Sequence, residues 1–142
     1  MQTRTGRQRL QDGNGARIVK QLIAHLVGDY MAQSEWMAKM KPERSYRGWA
    51  AAATHAVIYT ACFLPLTRSR RALLIIGGTH LLLDHYRPLG TLLARKDRIL
   101  SPPGWEPAEP VPFWLIIVVD NTIHLAVNEW ALNLSGKVRF SR

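Results

Sequence analysis

Apolar residues recur at helical spacing along four segments of the chain. In residues 16–40 they occupy positions 18, 19, 22, 23, 26, 27, 30 and 31, which lie on one face of a helix. Residues 46–66 form a second apolar segment, and residues 71–86 form a third after the basic turn TRSRR. Residues 111–134 form the fourth, followed by Gly136. The pattern therefore predicts four helices.

The connections between these segments differ in character. Pro42 ends the first helix, because proline cannot continue an α-helix beyond its first turn. Residues 89–100, LGTLLARKDRIL, predict a short amphipathic continuation of the third helix. Residues 101–112, SPPGWEPAEPVP, contain five prolines and predict a stiff, extended connection. No segment alternates as a half-buried strand would, so the sequence predicts an all-α protein: an antiparallel four-helix bundle with a proline-rich connection before the last helix.

Length and charge set the domain organisation and limit the partners. The 142 residues favour one domain, with a flexible basic arm at 1–15, a bundle at 16–136 and a basic tail at 137–142. The formal charge of +9 favours an anionic partner such as lipid headgroups or a phosphorylated substrate. Nucleic acid is disfavoured, because the basic residues are spread over both ends of the bundle and form no binding motif. The single cysteine, Cys62, excludes an internal disulfide.

The apolar segments favour a membrane location. A spanning helix needs about 20 mainly apolar residues, which the second helix has and the fourth nearly has. Five aromatic residues fall near one end of the expected bundle, as in an interfacial belt: Trp36, Tyr46, Trp49, Trp105 and Trp114. We expect a membrane-embedded or tightly membrane-associated protein of the bacterial inner membrane that contacts membrane lipids and can form a homo-oligomer. A soluble bundle is the alternative.

Histidine and aspartate pairs with a spacing of four residues interrupt three of the apolar helices. They are His25 with Asp29, His80 with Asp84, and Asp120 with His124, the last in reverse order. Residues four apart share a helix face. Because the fourth helix runs opposite to the first and third, the reversal would place the three carboxylates on one level. The histidines would lie on a second level about 6 Å away.

Buried charges of this kind are costly unless they are paired, hydrogen-bonded or bound to a metal. The cluster therefore predicts a divalent metal site, with zinc and manganese the main alternatives. The predicted ligands are His25, Asp29, His55, His80, Asp84, Asp120 and His124. The local sequence around His55 by itself favours a packed histidine. Asp29, Asp84 and Asp120 are the candidate catalytic bases, and Gln33, Asn121 and Asn128 are expected to hydrogen-bond the ligands. His85 is expected to face a loop or headgroups.

Three motifs also carry a resemblance. LIAHLVGDYMAQSEWMA, THLLLDHYR and VDNTIHL resemble a family of small bacterial and phage proteins known only as a domain of unknown function and described as predicted membrane proteins. The resemblance covers about residues 20–134 and implies a helical membrane protein, with a phage or prophage source, but no activity. A weaker resemblance is to predicted membrane-bound metal-dependent hydrolases. The chain departs from those in having no second aspartate beside His55 and no separate nucleophile.

These observations favour a membrane-associated, metal-dependent hydrolase acting on a phosphate-bearing or lipid-like substrate. A bound cation would supply hydroxide, and one aspartate would accept the proton. The same titratable residues suit a proton or metal-ion transport component, which is one alternative. A non-enzymatic phage or prophage membrane effector is another.

Overall fold

The computed structural model describes the backbone of residues 6–105 and 111–137, and the side chains of residues 13–105 and 111–135. These residues form helices and no strand, as the sequence predicts. The helices are α1 (Gly6–Leu26), α2 (Glu35–Met40), α3 (Tyr46–Cys62), α4 (Arg70–Tyr86), α5 (Leu89–Leu100) and α6 (Phe113–Lys137). Residues 1–5 of the expected arm, 106–110 of the proline-rich connection and 138–142 of the expected tail lie outside the described residues.

Serine residues determine where three of the helices begin. The hydroxyls of Ser34, Ser45 and Ser69 each accept a hydrogen bond from the backbone N–H three residues later, at the first turns of α2, α3 and α4. Such a cap satisfies one of the donors that a helix start leaves without an intrahelical partner. At the other end of α4, Arg87 adopts the left-handed conformation with φ 43° and separates this helix from α5.

The first predicted helix, residues 16–40, is interrupted. After α1 comes a π-helical turn, Val27–Met31, and α2 starts only after an extended residue at Ser34. Gly28 lies against the ring of Tyr59 on α3, where a Cβ atom would come within 2.6 Å of the ring. The wider π turn therefore occurs where the chain lies close against α3. In addition, α1 begins at Gly6, within the segment 1–15 that was expected to be a flexible arm.

The long helices contact one another in a closed order. α1 contacts α3 and α6, and α4 contacts the same two helices. The short helix α2 packs on α3, and α5 packs on α6. Between the long helices lies a core that includes Tyr59, Phe63, Ile76, Ala131 and Leu132.

The outward faces of the helices are unusually apolar. Val57 on α3 is 70% exposed, Leu74 on α4 is 75% exposed, and Ile18 on α1 and Val118 on α6 are more than half exposed. Large apolar patches on a protein surface generally mark contacts with another molecule or a membrane. Among the described residues, one helix segment, Phe113–Ser135, is long and apolar enough to cross a membrane. Length and composition alone support this crossing.

Candidate metal centre

Four of the predicted ligands converge between the π turn, α3 and α4. Asp29 comes from the π turn, His55 from α3, and His80 and Asp84 from successive turns of α4. Both histidine side chains are fully buried, and the aspartates are almost so. The i, i+4 spacing of the α4 pair places both groups on the helix face that meets α3.

The reactive atoms of these four residues are close to one another. The Nε2 atoms of His55 and His80 are 3.0 Å apart. Each of them lies 3.2 Å from Asp29 Oδ1. Each also lies 3.3 Å from Asp84 Oδ2. Each imidazole Nε2 atom therefore lies close to one oxygen of each carboxylate.

Hydrogen bonds alone account poorly for this arrangement. The Nε2 atoms of His55 and His80 cannot both place an N–H on the 3.0 Å line between them, because two donors would then face each other. A cation at the centre would instead attract all four lone pairs. In tetrahedral sites with metal–ligand bonds of about 2.0 Å, the ligand atoms lie about 3.3 Å apart, which matches the N–N and N–O distances here.

Lys41 supplies a positive charge at the edge of the cluster. Its Nζ donates to Asp84 Oδ2 at 2.7 Å and to Gln33 Oε1 at 2.6 Å, and its side chain is mostly buried. Gln33 was expected to hydrogen-bond the ligands directly, but its Oε1 accepts from Lys41 instead. A carboxylate oxygen has two lone pairs, so Asp84 Oδ2 can accept from Lys41 and still face the centre of the cluster.

The neighbouring charges keep the two aspartates ionised. Burial by itself would raise the pKa of Asp29, but hydrogen bonds with His55 and His80 outweigh it and hold that pKa well below its usual range. Burial also opposes ionisation of Asp84, yet the hydrogen bond with His55 and the nearby positive charges keep its pKa low. For His55, burial lowers the pKa, but hydrogen bonds with both carboxylates raise it above the ordinary histidine value. The cluster is therefore organised around two negative charges.

A second set of possible ligands adjoins the first. Asp84, Asp120 and His124 offer ligand atoms within 4.8 Å of one another, and Asp29, His55 and His80 do so separately, so Asp84 belongs to the first four residues and also to this second set. His124 Nδ1 lies 3.3 Å from His80 Nδ1, so the two sets are linked. His124 Nε2 is buried, has no hydrogen-bond partner among the described residues, and lies 3.6 Å from Asp120 Oδ2. Asp120 is the most accessible of these carboxylates, at 32% exposed.

His25 was predicted to be a principal ligand, but it belongs to neither set. The Tyr59 hydroxyl accepts from Asn128 Nδ2 at 2.7 Å and contacts His25 Nδ1 at 2.8 Å, so it donates to that nitrogen. The other ring nitrogen, Nε2, then donates to Asn121 Oδ1 at 3.0 Å. Both nitrogens of His25 are therefore hydrogen-bonded to Tyr59 and Asn121, and Nδ1 also lies 3.4 Å from Asp29 Oδ2. Asn121 and Asn128 hydrogen-bond as predicted, but around His25 and Tyr59.

The predicted separation of carboxylates and histidines into two levels is also wrong. His55 and His80 contact Asp29 and Asp84 directly. Spacing along a helix determines the height of the Cα atoms only. The rotamers of these side chains bring their end atoms together from different heights. His85 does face a loop as expected, with Nδ1 2.8 Å from the Lys41 carbonyl oxygen, although it is buried there.

Sequence reasoning missed two residues of the site. Tyr59 stacks on His80 with ring centroids 3.6 Å apart and joins His25 to Asn128. Burial raises the pKa of its hydroxyl well above the ordinary tyrosine value. Its place one turn after His55 was a signal that could have revealed it. Lys41 gave no such signal, because it lies in a turn among other basic residues.

Comparison with known proteins gives a family without a described activity. Residues 18–135 match the family described as "Protein of unknown function (DUF3307)". The chain belongs to the DUF3307 family. This bears out the resemblance seen in the three motifs. No curated protein and no solved structure matches the chain.

The DUF3307 region contains the whole candidate centre. The matched residues begin before His25 and end after Asn128, so all the histidines and aspartates of both sets fall within them. The candidate centre of this chain therefore lies inside the region that the family matches.

Proposed function

We propose that the protein is a metal-dependent hydrolase whose cation is held by Asp29, His55, His80 and Asp84. The observation that carries this proposal is that the two Nε2 atoms lie 3.0 Å apart and that each lies 3.2–3.3 Å from one oxygen of each carboxylate. Two imidazoles and two carboxylates form a donor set that suits zinc, and manganese is the alternative. The ionised state of both aspartates supports cation binding at neutral pH.

His124 and Asp120 would then support the ligands. If His80 binds the cation through Nε2, its Nδ1–H donates to His124 Nδ1, 3.3 Å away. A metal-bound histidine commonly donates its second N–H in this way, which fixes the orientation of its ring. His124 in turn carries its hydrogen on Nε2, facing the Asp120 carboxylate. Because His124 then has a hydrogen bond on each ring nitrogen, this arrangement favours one cation, held by Asp29, His55, His80 and Asp84.

The chemistry we propose is hydrolysis. A divalent cation lowers the pKa of a water bound to it and so makes hydroxide available near neutral pH. Asp29 and Asp84 are engaged as ligands, which leaves Asp120 as the base that can accept a proton. Lys41 would donate to a negatively charged oxygen of the substrate. A phosphate-bearing or lipid-like substrate suits this positive group and the net charge of +9.

We also propose that the four long helices form an antiparallel bundle in contact with membrane lipid. The helix contacts and the exposed apolar side chains on α1, α3, α4 and α6 support this. Each face that the bundle turns outward carries apolar groups, which water solvates poorly. Retention of the purified chain in solution without detergent or lipid would contradict the membrane location.

Elemental analysis of the purified protein tests the metal site. We expect about one equivalent of zinc or manganese per chain, and its loss in His55→Ala. His25→Ala is a matched control, because His25 is equally buried but both of its ring nitrogens are hydrogen-bonded, to Tyr59 and to Asn121. Metal-free wild-type protein, or equal metal content in both variants, would contradict the proposal. Circular dichroism establishes that each variant is folded.

An activity measurement tests the hydrolase step. We expect cleavage of phosphate esters, including phospholipid analogues, that is lost with a chelator and restored by the metal. Asp120→Asn should retain the metal and lose most of the activity, since a positioned base contributes about 10²–10⁴-fold. Loss of metal in Asp120→Asn would show that this residue is a ligand.

Proton transport is a second candidate function, favoured by a chain of buried histidines. His55, His80 and His124 are joined by N···N distances of 3.0 and 3.3 Å. Intramembrane histidines and carboxylates often form proton relays. Proton flux in reconstituted vesicles that requires His80 and persists in metal-free protein would favour transport over hydrolysis.

A further inference from the structure

A basic groove lies at one end of the molecule, away from the histidine cluster. It has a volume of about 910 Å³ and is lined by α1, the α3–α4 connection and the last turns of α6. Its wall at Ala72 is eight residues before His80 on α4, or about 12 Å along the helix at 1.5 Å per residue. The groove is therefore separate from the candidate metal centre.

The lining combines cationic and apolar groups. Arg17, Arg68 and Arg71 supply positive charge, and Leu64, Leu66 and Leu132 supply an apolar wall. Among the described residues, none of those that line the groove is acidic. Arg17 is held in place by Glu129 and by Asn133 Oδ1, the latter at 2.8 Å, while Arg68 and Arg71 are exposed. A ligand that fits must have a negative head and an apolar body.

The position of the groove identifies where such a ligand would come from. The apolar segment of α6, Phe113–Ser135, ends at the groove, since Leu132, Leu134 and Ser135 line it. Trp130, just before them, is 57% exposed, as tryptophans at a membrane–water interface often are. With α6 in contact with lipid, the groove lies at the depth of the phosphate groups.

We propose that this groove binds the headgroup of an anionic phospholipid. Arg68 and Arg71 contact the phosphate, and the acyl chains leave along the leucine wall. Basic pockets between helices at a membrane surface recognise anionic headgroups through this combination of charges. The inference rests on the membrane association proposed above and is independent of the metal and of hydrolysis.

A double substitution with a matched control tests the groove. Arg68→Gln/Arg71→Gln removes two charges from the groove. Arg95→Gln/Arg98→Gln removes two exposed charges from α5. α5 packs on α6 near Ile116. Ile116 is sixteen residues before Leu132, so α5 lies about 24 Å from the groove along α6. Full-length, detergent-solubilised protein is titrated with short-chain phosphatidylglycerol or phosphatidylcholine, and the lipid affinity is obtained from the shift in Tm.

We expect wild-type protein to prefer phosphatidylglycerol and the groove variant to lose roughly thirtyfold in affinity for it. The estimate follows from about 1 kcal/mol for each basic residue near an anionic surface. The α5 variant should lose less than about threefold. Equal losses in both variants, or no preference in the wild type, would overturn the groove proposal while leaving the metal site intact.

Two further measurements separate the related explanations. Glycerol phosphate that binds the groove as tightly as the lipid would show a site for a free phosphate compound and would overturn the lipid assignment. Wild-type protein that stays soluble without detergent and fails to float with vesicles of either lipid would overturn the membrane proposal and this inference together.

Discussion

One carboxylate oxygen of Asp84 contacts three neighbouring side chains. Oδ2 lies 2.7 Å from Lys41 Nζ and 3.3 Å from Nε2 of both His55 and His80. The positive charges among these neighbours stabilise the ionised carboxylate, although it is almost fully buried. A carboxylate with such partners links the stability of the fold to pH.

The stability of the chelator-treated protein should fall in acid partly because of Asp84. The pKa of this group is lowered in the folded state from about 3.9 in the unfolded chain, so its stabilisation is complete above that value. The stabilisation is lost as the pH falls through the folded pKa. We therefore expect Tm to decrease more steeply below about pH 5 in the wild type than in Asp84→Asn. Asp97→Asn is the control, because it removes a more exposed carboxylate. If Tm falls equally steeply with pH in the wild type and in Asp84→Asn, the prediction is wrong.

Among the elements, the π turn has the most direct effect on the site. It presents Asp29 to α3 and α4, and it does so where Gly28 lies against Tyr59. A Cβ at Gly28 would lie 2.6 Å from the ring and 3.3 Å from the Cα atom of Tyr59. Space for this close contact depends on the missing side chain, which explains why a glycine stands there.

Gly28→Ala should destabilise the protein and weaken metal binding together. Overpacking of this kind typically costs about 1–3 kcal/mol, and the turn must move Asp29 away from α3 to relieve it. Gly78→Ala is the matched control, because a Cβ there meets no atom within 4 Å and alanine favours a helix interior. Chemical denaturation measures the free energy of unfolding of both variants, and metal titration measures their metal affinity. Equal stability of the two variants would show that the contact with Tyr59 is not restrictive.

On the scale of the whole molecule, the proposed cation joins segments far apart in sequence. Asp29, His55 and His80 come from three different elements, and His124 extends the contacts to α6. A ligand that binds only the folded state stabilises it in proportion to the logarithm of its concentration. The metal should therefore act on the stability of the complete bundle.

Removal of the metal should lower Tm of the wild type. A cation at a hundred times its Kd contributes about 2.7 kcal/mol, which corresponds to a shift on the order of 10 °C for a chain of this size. His55→Ala should show no such shift when chelator or metal is added, whereas His25→Ala should retain it. Differential scanning calorimetry measures these changes. A wild-type Tm that changes neither with chelator nor with added metal would contradict a bound cation.

The helices were largely predictable because their signals are local. The predicted start of the second helix at residue 46 and the amphipathic segment 89–100 agree with α3 and α5. The break after Met31 lies where the apolar repeat stops, since its next positions hold Ser34 and Glu35, but the helix was predicted to continue to residue 40. The π turn occurs where α1 meets Tyr59, and that contact is absent from any single stretch of sequence.

The candidate site, like the helices, was only partly predictable from the sequence. The sequence by itself determined that His and Asp pairs at a spacing of four share helix faces, since the helical repeat requires it. Only the tertiary structure decided that His55 joins the centre while His25 turns to Tyr59 and Asn121. It also brought Lys41 from a turn to Asp84. Periodicity gives the direction of a side chain around its own helix, whereas its partners depend on how far neighbouring helices are shifted and rotated.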